Sequence, residues 1–279
     1  MLPENHGPNG RRISPRHFAI LSDDALECMS LFLRASEVLG VMPKQVRYTA
    51  IVLLPKPHGG FRPIGIFPAL YRMYGQLRRS YCEAWETANS RNYFAASSGR
   101  SAPDVVWRQA VDAEFATHDT GAAASVLWDV TKFYESFDHR KLRGRARATG
   151  FPGPLMNVAL NAYRAARFMT SGGMVAAALY AEHGVTAGCH FATTFVKVYT
   201  LPAFDRVAEI NPLVRFDDYI DDFTISATGA NEDEVVSKLR PAIVDLRLAV
   251  ESDLSGQLSE EKAQVAASSD ALAKRIRKS

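Results

Sequence analysis

Hydrophobic and polar positions change their period several times along this chain, and each change marks an element. Ser22 before Asp23 and Asp24 reads as a helix N-cap with acids in the first turn, and Gly40 as that helix's stop. The run 46-VRYTAIVLLPK-56 is strand-like, 57-PHGG-60 is a turn signal, and 61-FRPIGI-66 is a second strand. Together they predict a β-hairpin with Lys56 on one arm and Arg62 on the other. A helix is expected from about Ala69 to Glu86, carrying Arg72, Arg78 and Arg79. The short apolar strand 125-SVLWDV-130 carries an aspartate near its end. Leu155, Val158, Ala162 and Ala166 recur at helical spacing within 154–169. A turn at Gly172 and Gly173 leads to a strand near 174–180, and 184–201 reads as a loop running into a helix that Pro202 interrupts. The stretch 216-FDDYIDDFTI-225 predicts strand, turn, strand. Val235, Leu239, Ile243, Leu246 and Val250 then repeat at helical spacing, and 258-LSEEKAQVAAS-268 closes the fold. Strands and helices in this mixed order predict an α+β fold rather than a doubly wound parallel sheet.

At 279 residues the chain can form one large domain or two small ones with an ample core. Hydrophobic content of 47% and charged content of 23% are those of an ordinary globular protein. The opening MLPENHGPNGRRISPRH has no apolar segment of signal-peptide type, and no run of about 18 apolar residues follows. Cys28, Cys82 and Cys189 have neither paired nor metal-ligand spacing, which predicts a reducing, intracellular setting without choosing nucleus or cytoplasm. The net charge of +3 is unevenly placed: residues 1–80 hold 11 Lys/Arg against 5 Asp/Glu, and residues 81–279 hold 22 against 25. A basic first third suits a surface for polyanions, although a solvated basic face would account for the charge alone.

The acidic positions carry the chemistry. Asp217, Asp218, Asp221 and Asp222 fall within six residues among core-type side chains, and clustered carboxylates repel unless something neutralises them. Asp129 lies 92 positions before Asp221. If its strand pairs beside the 216–225 hairpin, three carboxylates converge at one sheet edge. That cluster would suit one or two hard divalent cations with oxygen ligands, Mg²⁺ foremost. Two ions roughly 3.5–4 Å apart can stabilise the attacking and leaving oxygens of a displacement at phosphorus. Exposed turn acids with ordinary solvation are the plainer alternative.

These stretches, in this order, resemble a reverse transcriptase of the non-LTR retrotransposon and group II intron kind. Tyr219-Ile220-Asp221-Asp222 resembles the Y-x-D-D motif, and 129-DVTKFYESFDH-139 the first aspartate motif. The hairpin 53-LLPKPHGGFRPIGI-66 resembles the fingers motif, 184-GVTAGC-189 the glycine loop under template and nucleotide, and 258-LSEEK-262 the later motif ending in lysine. The resemblance implies a right-hand fold of fingers and palm, with an antiparallel palm sheet bearing the Y-x-D-D hairpin. It divides the chain into a mobile basic arm (1–20), a fingers-like region (21–120) and a palm (121–279). About ten residues follow the last motif, so a thumb is expected to be missing, as in a segment of a larger element or a degenerate copy.

The resemblance also implies roles. Asp129 and Asp221 would be metal ligands, with the Val130 carbonyl and Asp222 beside them, holding two Mg²⁺ ions for which Mn²⁺ could substitute. Lys56 and Arg62 would neutralise the nucleotide's phosphates. Tyr134 would lie under the sugar and exclude a 2′-hydroxyl. Gly184 and Gly188 would shape the loop, although Thr186-Ala187 stands where the family has Pro-Gln. Lys262 would protonate the leaving pyrophosphate. Asp217 and Asp218 are expected to be salt-bridged or surface acids, and Asp138 and His139 to fix the turn after the strand. The implied partners are an RNA template, a DNA or RNA primer, deoxynucleoside triphosphates and further domains of one polyprotein, with no membrane. A metal-independent, catalytically inactive nucleic-acid-binding remnant is the competing reading. An RNA-making palm polymerase is a third, disfavoured by Tyr134.

Overall fold

The computed structural model describes residues 15–57, 59–97, 99–118, 121–171 and 174–277. The first half runs α1 (Asp23–Leu39), β1 (Tyr48–Pro55), β2 (Phe61–Ile66), α2 (Ala69–Leu77), α3 (Arg79–Ala88), α4 (Ala102–His118), β3 (Ala122–Thr131) and α5 (Phe133–Ser136). Then come α6 (His139–Ala148), α7 (Gly153–Tyr163), β4 (Ala166–Ser171), β5 (Met174–Val175), α8 (Ala192–Ile210), β6 (Arg215–Tyr219) and β7 (Asp222–Gly229). The chain closes with α9 (Glu232–Leu248), β8 (Gln257–Leu258), β9 (Gln264–Ala267) and α10 (Asp270–Arg277). Two compact units form, one from residues 1–87 and 137–198, the other from 88–136 and 199–279. No described helix is long and apolar enough to cross a membrane. The three cysteines are free.

The first unit holds a mixed sheet in the order β2-β1-β4-β5. Helix α1 begins where Ser22 accepts from the Ala25 amide at 3.4 Å and stops at Gly40, whose φ of 67° only glycine adopts cheaply. Three expectations fail here. The single helix over 69–86 is broken at Arg78, whose φ and ψ of −102° and 5° leave the α region. Helix α7 stops at Tyr163, and 166–169, expected as its continuation, falls instead in β4, which pairs in parallel with β1. The strand expected over 174–180 shrinks to β5 and a bridge at Leu179, and Gly172 and Gly173 lie outside the described residues. Residues 15–20 form a short 3-10 helix, while the rest of the expected basic arm lies outside the description. Aromatic packing fills this core: Phe67 stacks on Tyr71 at 4.7 Å, and Tyr71, Tyr74, Tyr163 and Phe191 are almost wholly buried.

In the second unit the named strands pair antiparallel, in the order β6-β7-β3-β8 with β9 also on β3, and an isolated parallel bridge joins Phe94 to Asp218. The period-3.6 side chains Val235, Leu239, Ile243 and Leu246 of α9 are buried and pack on this sheet. Phe204 meets Phe223 edge-on at 4.9 Å, and Phe133 meets Phe223 at 5.7 Å. Pro202 does not interrupt α8. A helix-interior proline costs roughly 3 kcal/mol. Leu201, Phe204 and Val207 are nearly fully buried, and each such side chain contributes about 1.5–3 kcal/mol, so packing prevails. Helix α4 was not foreseen, although Ser101 and Asp104 form a capping pair before it: the Asp104 carboxylate accepts from the Ser101 amide at 2.6 Å.

Candidate active site

The acidic site is assembled by strand register in the second unit. The β6–β7 ladder ends at Tyr219 opposite Asp222, leaving Ile220 and Asp221 as the turn. Ile220 carries a φ of 68°. A β-branched residue there is an outlier costing on the order of 1–3 kcal/mol, and such strain persists only where the surroundings impose it. On the other side, β7 pairs with β3 so that Asp129 stands directly opposite Asp222. The Val130 amide donates to the Asp221 carbonyl at 3.2 Å, tying the turn to β3. Asp129, Val130, Asp221 and Asp222 are thereby brought to one sheet end, although Asp129 lies 92 positions before Asp221 in the sequence.

Lys262 reaches the same place by an interruption of the sheet. Strand β9 pairs with residues 124–127 of β3 and β8 with 130–131, and a 3-10 turn over Glu260–Lys262 bridges the gap. The Ser259 amide donates to the Asp129 carbonyl at 2.8 Å, and the exposed Lys262 ammonium pairs with the Asp129 carboxylate. After β3, Lys132 adopts a φ of 50° and α5 begins, anchored by the buried Phe133. The next residue, Tyr134, is half-buried, and burial together with the neighbouring Asp221 charge pushes its hydroxyl to about 12. Burial, reinforced by the charges of Asp221 and Asp129, raises the Asp222 carboxyl, and Lys262 opposes that rise.

The Asp129, Asp221 and Asp222 carboxylates present hard oxygens of the kind a divalent cation takes. Among the described residues, however, no three His, Cys, Asp or Glu side chains are arranged to hold a metal together. The Lys262 ammonium supplies positive charge at Asp129.

In the first unit, Lys56 follows β1, its amide donating to the Gly60 carbonyl at 3.1 Å, and Arg62 sits in β2 opposite Leu54; both side chains are exposed. The glycine loop is docked onto β2. The Gly65 amide donates to the Ala187 carbonyl at 2.8 Å, and a Cβ at Gly188 (φ 99°) would lie 2.4 Å from the Gly65 carbonyl oxygen. Gly184 donates to the Phe137 carbonyl at 2.8 Å, and its own carbonyl meets the buried His139 Nε2 at 2.8 Å. Asp138 caps α6, accepting from the Arg140 and Lys141 amides at 2.7 and 2.8 Å. This pair therefore does fix the turn.

Asp217 and Asp218 depart from a surface role, being 3% and 2% exposed. Asp217 pairs with Arg108 of α4 at 3.1 Å and accepts from Gln109. Asp218 joins the segment around Tyr93 and Ala95 through backbone bonds of 2.7 and 2.9 Å. A further pair joins the buried Lys197 to the partly buried Glu86 in the first unit. Nothing local to 216-FDD-218 signals these partners.

The sequence has no match among curated proteins. Among solved structures, apo telomerase from Candida tropicalis, truncated from its C-terminal domain, is 15% identical with a TM-score of 0.56, covering 81% of this chain and 51% of that one. Telomerase from Candida albicans in complex with a fragment of telomeric RNA is 11% identical with a TM-score of 0.59, covering 86% and 45%. The Candida tropicalis telomerase with the same kind of fragment is 12% identical with a TM-score of 0.59, covering 88% and 45%. The fold is thus a mixed α+β fold of the telomerase type, and the chain spans about half the length of these relatives. A family profile for reverse transcriptase (RNA-dependent DNA polymerase) matches residues 54–271, and the chain belongs to that family.

Proposed function

We propose that this chain is the fingers-like region (21–120) and palm (121–279) of an RNA-directed DNA polymerase, from a retroelement of the non-LTR or group II intron kind. The observation that carries the proposal is Asp129 standing opposite Asp222 with Asp221 on the adjoining turn. Asp129, Asp221, Asp222 and the Val130 carbonyl would hold two Mg²⁺ ions, or Mn²⁺ in their place. Bound there, the ions would supply Lewis-acid stabilisation of the oxygens exchanged at phosphorus. Tyr134, next to Asp221, would set its ring against the sugar and leave no room or acceptor for a 2′-hydroxyl. Lys262 would give its proton to the departing pyrophosphate oxygen. Lys56 and Arg62 would neutralise the triphosphate, and Gly184 and Gly188 would let the loop backbone lie under template and nucleotide. The partners would be an RNA template, a DNA or RNA primer and deoxynucleoside triphosphates, together with further domains of the same polyprotein.

A second reading, a nucleic-acid-binding remnant without catalysis, is favoured by the Lys262–Asp129 pair and the lack of a ready metal-holding group among the described residues. Primer extension on an RNA template decides between them. Mg²⁺-dependent extension that Asp221→Asn abolishes supports the polymerase, while RNA binding with no extension at any Mg²⁺ concentration supports the remnant.

A further inference from the structure

Helix α6 has a composition that the fold does not explain. Its sequence, HRKLRGRARA, holds five Lys/Arg and no acid, more positive charge than the net +3 of the whole chain. His139, Leu142 and Ala146 form its buried face. Arg140, Arg143 and Arg147 recur on another face at helical spacing and are all exposed. Like charges three and four residues apart oppose the helix by a few tenths of a kcal/mol each, and cations near its N-terminus oppose the macrodipole. Among the described residues no carboxylate forms an ion pair with any of these three arginines. Asp138, the acid at this helix end, is engaged by the Arg140 and Lys141 amides. Arg164 adds a further cation beside the first turn, its Nε lying 3.2 Å from His139 Nδ1.

Gly144 is the second observation. It is exposed amid the three arginines, and a Cβ built there would meet nothing within 4 Å. A helix-interior glycine costs about 1 kcal/mol against alanine, and no neighbouring atom requires one here. Its effect is to leave bare backbone at the centre of a cationic face.

We infer that the Arg140–Arg143–Gly144–Arg147 face of α6 binds the phosphodiester backbone of a nucleic-acid strand, a contact surface additional to the aspartate site. The inference rests on the chain being a nucleic-acid enzyme or binder. With a rise of 1.5 Å per residue, Arg140 to Arg147 spans about 10 Å. That is the axial advance of about three nucleotides of one strand. Arginine's planar fork suits phosphate oxygens, and backbone contacts position a strand without reading its sequence. An anionic membrane fits less well, because the apolar side chains of α6 are buried and leave nothing to insert.

The test is fluorescence anisotropy of a labelled 20-nucleotide oligouridine RNA with the full chain, in EDTA, across a KCl series. Arg140→Ala/Arg143→Ala/Arg147→Ala should weaken binding at least tenfold near 0.1 M salt. It should also flatten the slope of log affinity against log salt by about 2, at roughly 0.7 per phosphate contact. The corresponding triple lysine variant should keep the slope. Gly144→Ala should melt at a higher temperature than wild type yet bind RNA several-fold more weakly; undiminished binding would overturn the close-approach role. The site itself is overturned by no binding of RNA by wild type, by an unchanged slope in the alanine triple, or by an equal loss per charge in Lys274→Ala/Arg277→Ala. Binding of anionic vesicles in preference to RNA would overturn it in favour of a membrane. Because the assay contains neither metal nor nucleotide, RNA binding without primer extension refutes the polymerase reading alone.

Discussion

The two hairpins that carry the proposed site residues are built on opposite plans. The β6–β7 turn is as short as a hairpin turn can be, with an isoleucine held at positive φ and its carboxylates fixed by register against β3. The β1–β2 turn is longer and open: Gly59 and Gly60 take φ of 89° and 79° with empty space around them, and Lys56 and Arg62 are exposed. Where carboxylates must converge against their own repulsion, backbone hydrogen bonding and strain hold them. The proposed phosphate-facing cations, Lys56 and Arg62, sit instead on an exposed hairpin whose Gly59 and Gly60 meet no neighbouring atom. The glycine loop over Gly184–Cys189 joins the rigid class by another route, close backbone approach to β2.

The largest effect tests the acidic turn. Asp221→Asn should lower kcat for primer extension by about 10³-fold or more. Its melting temperature should stay at or above that of wild type, because the mutation removes a charge that repels Asp222 and keeps the backbone bond from Val130. A variant that unfolds would make Asp221 a structural acid. Next, Gly188→Ala should destabilise the chain by roughly 3 kcal/mol, combining the positive-φ penalty with the clash at the Gly65 carbonyl. Gly59→Ala meets no atom and should cost only about 1–2 kcal/mol. Equal losses in chemical denaturation would erase the distinction between the docked loop and the open turn.

Sugar choice gives a smaller effect. Tyr134→Ala should raise kcat/KM for ribonucleotides relative to deoxynucleotides by about tenfold or more, equivalent to about 1.4 kcal/mol. An unchanged ratio would leave Tyr134 as packing beside Asp221. Arg62→Ala, on the open hairpin, should raise the nucleotide KM several-fold with kcat and stability little changed; a large loss of stability would contradict the openness of that turn. The smallest effect concerns the α6 cap. Hydrogen bonds from the Lys141 and Arg140 amides hold the Asp138 carboxyl below the ordinary range, in spite of partial burial. Its contribution is therefore complete above the usual carboxylate pKa and is lost as pH falls through its folded value. Asp138→Ala should cost about 1 kcal/mol at neutral pH. In thermal melts, that deficit should vanish in acid.

Much of this was legible in the sequence, because local chemistry decided it. Ser22 and Gly40 bound α1 through a cap and a positive φ, and alternation around Asp221 marked the hairpin before any partner was known. The side chains of α9 declared their buried face by period alone. Tertiary structure decided the rest. Residues 166–169 have a pattern that continues a helix, but the edge of β1 offers hydrogen bonds that end α7 and make β4. Pro202 is locally a helix breaker, and burial of its neighbours outweighs it. Asp217 and Asp218 read as salt-bridged or surface acids, and the fold settles this by burying both, pairing Asp217 with Arg108 of α4 and bonding Asp218 to the Tyr93–Ala95 backbone. The pairing of Asp129 with Asp222 was conditional in the sequence, because no local preference links residues that far apart. Only the antiparallel register of β3 and β7 brings them together.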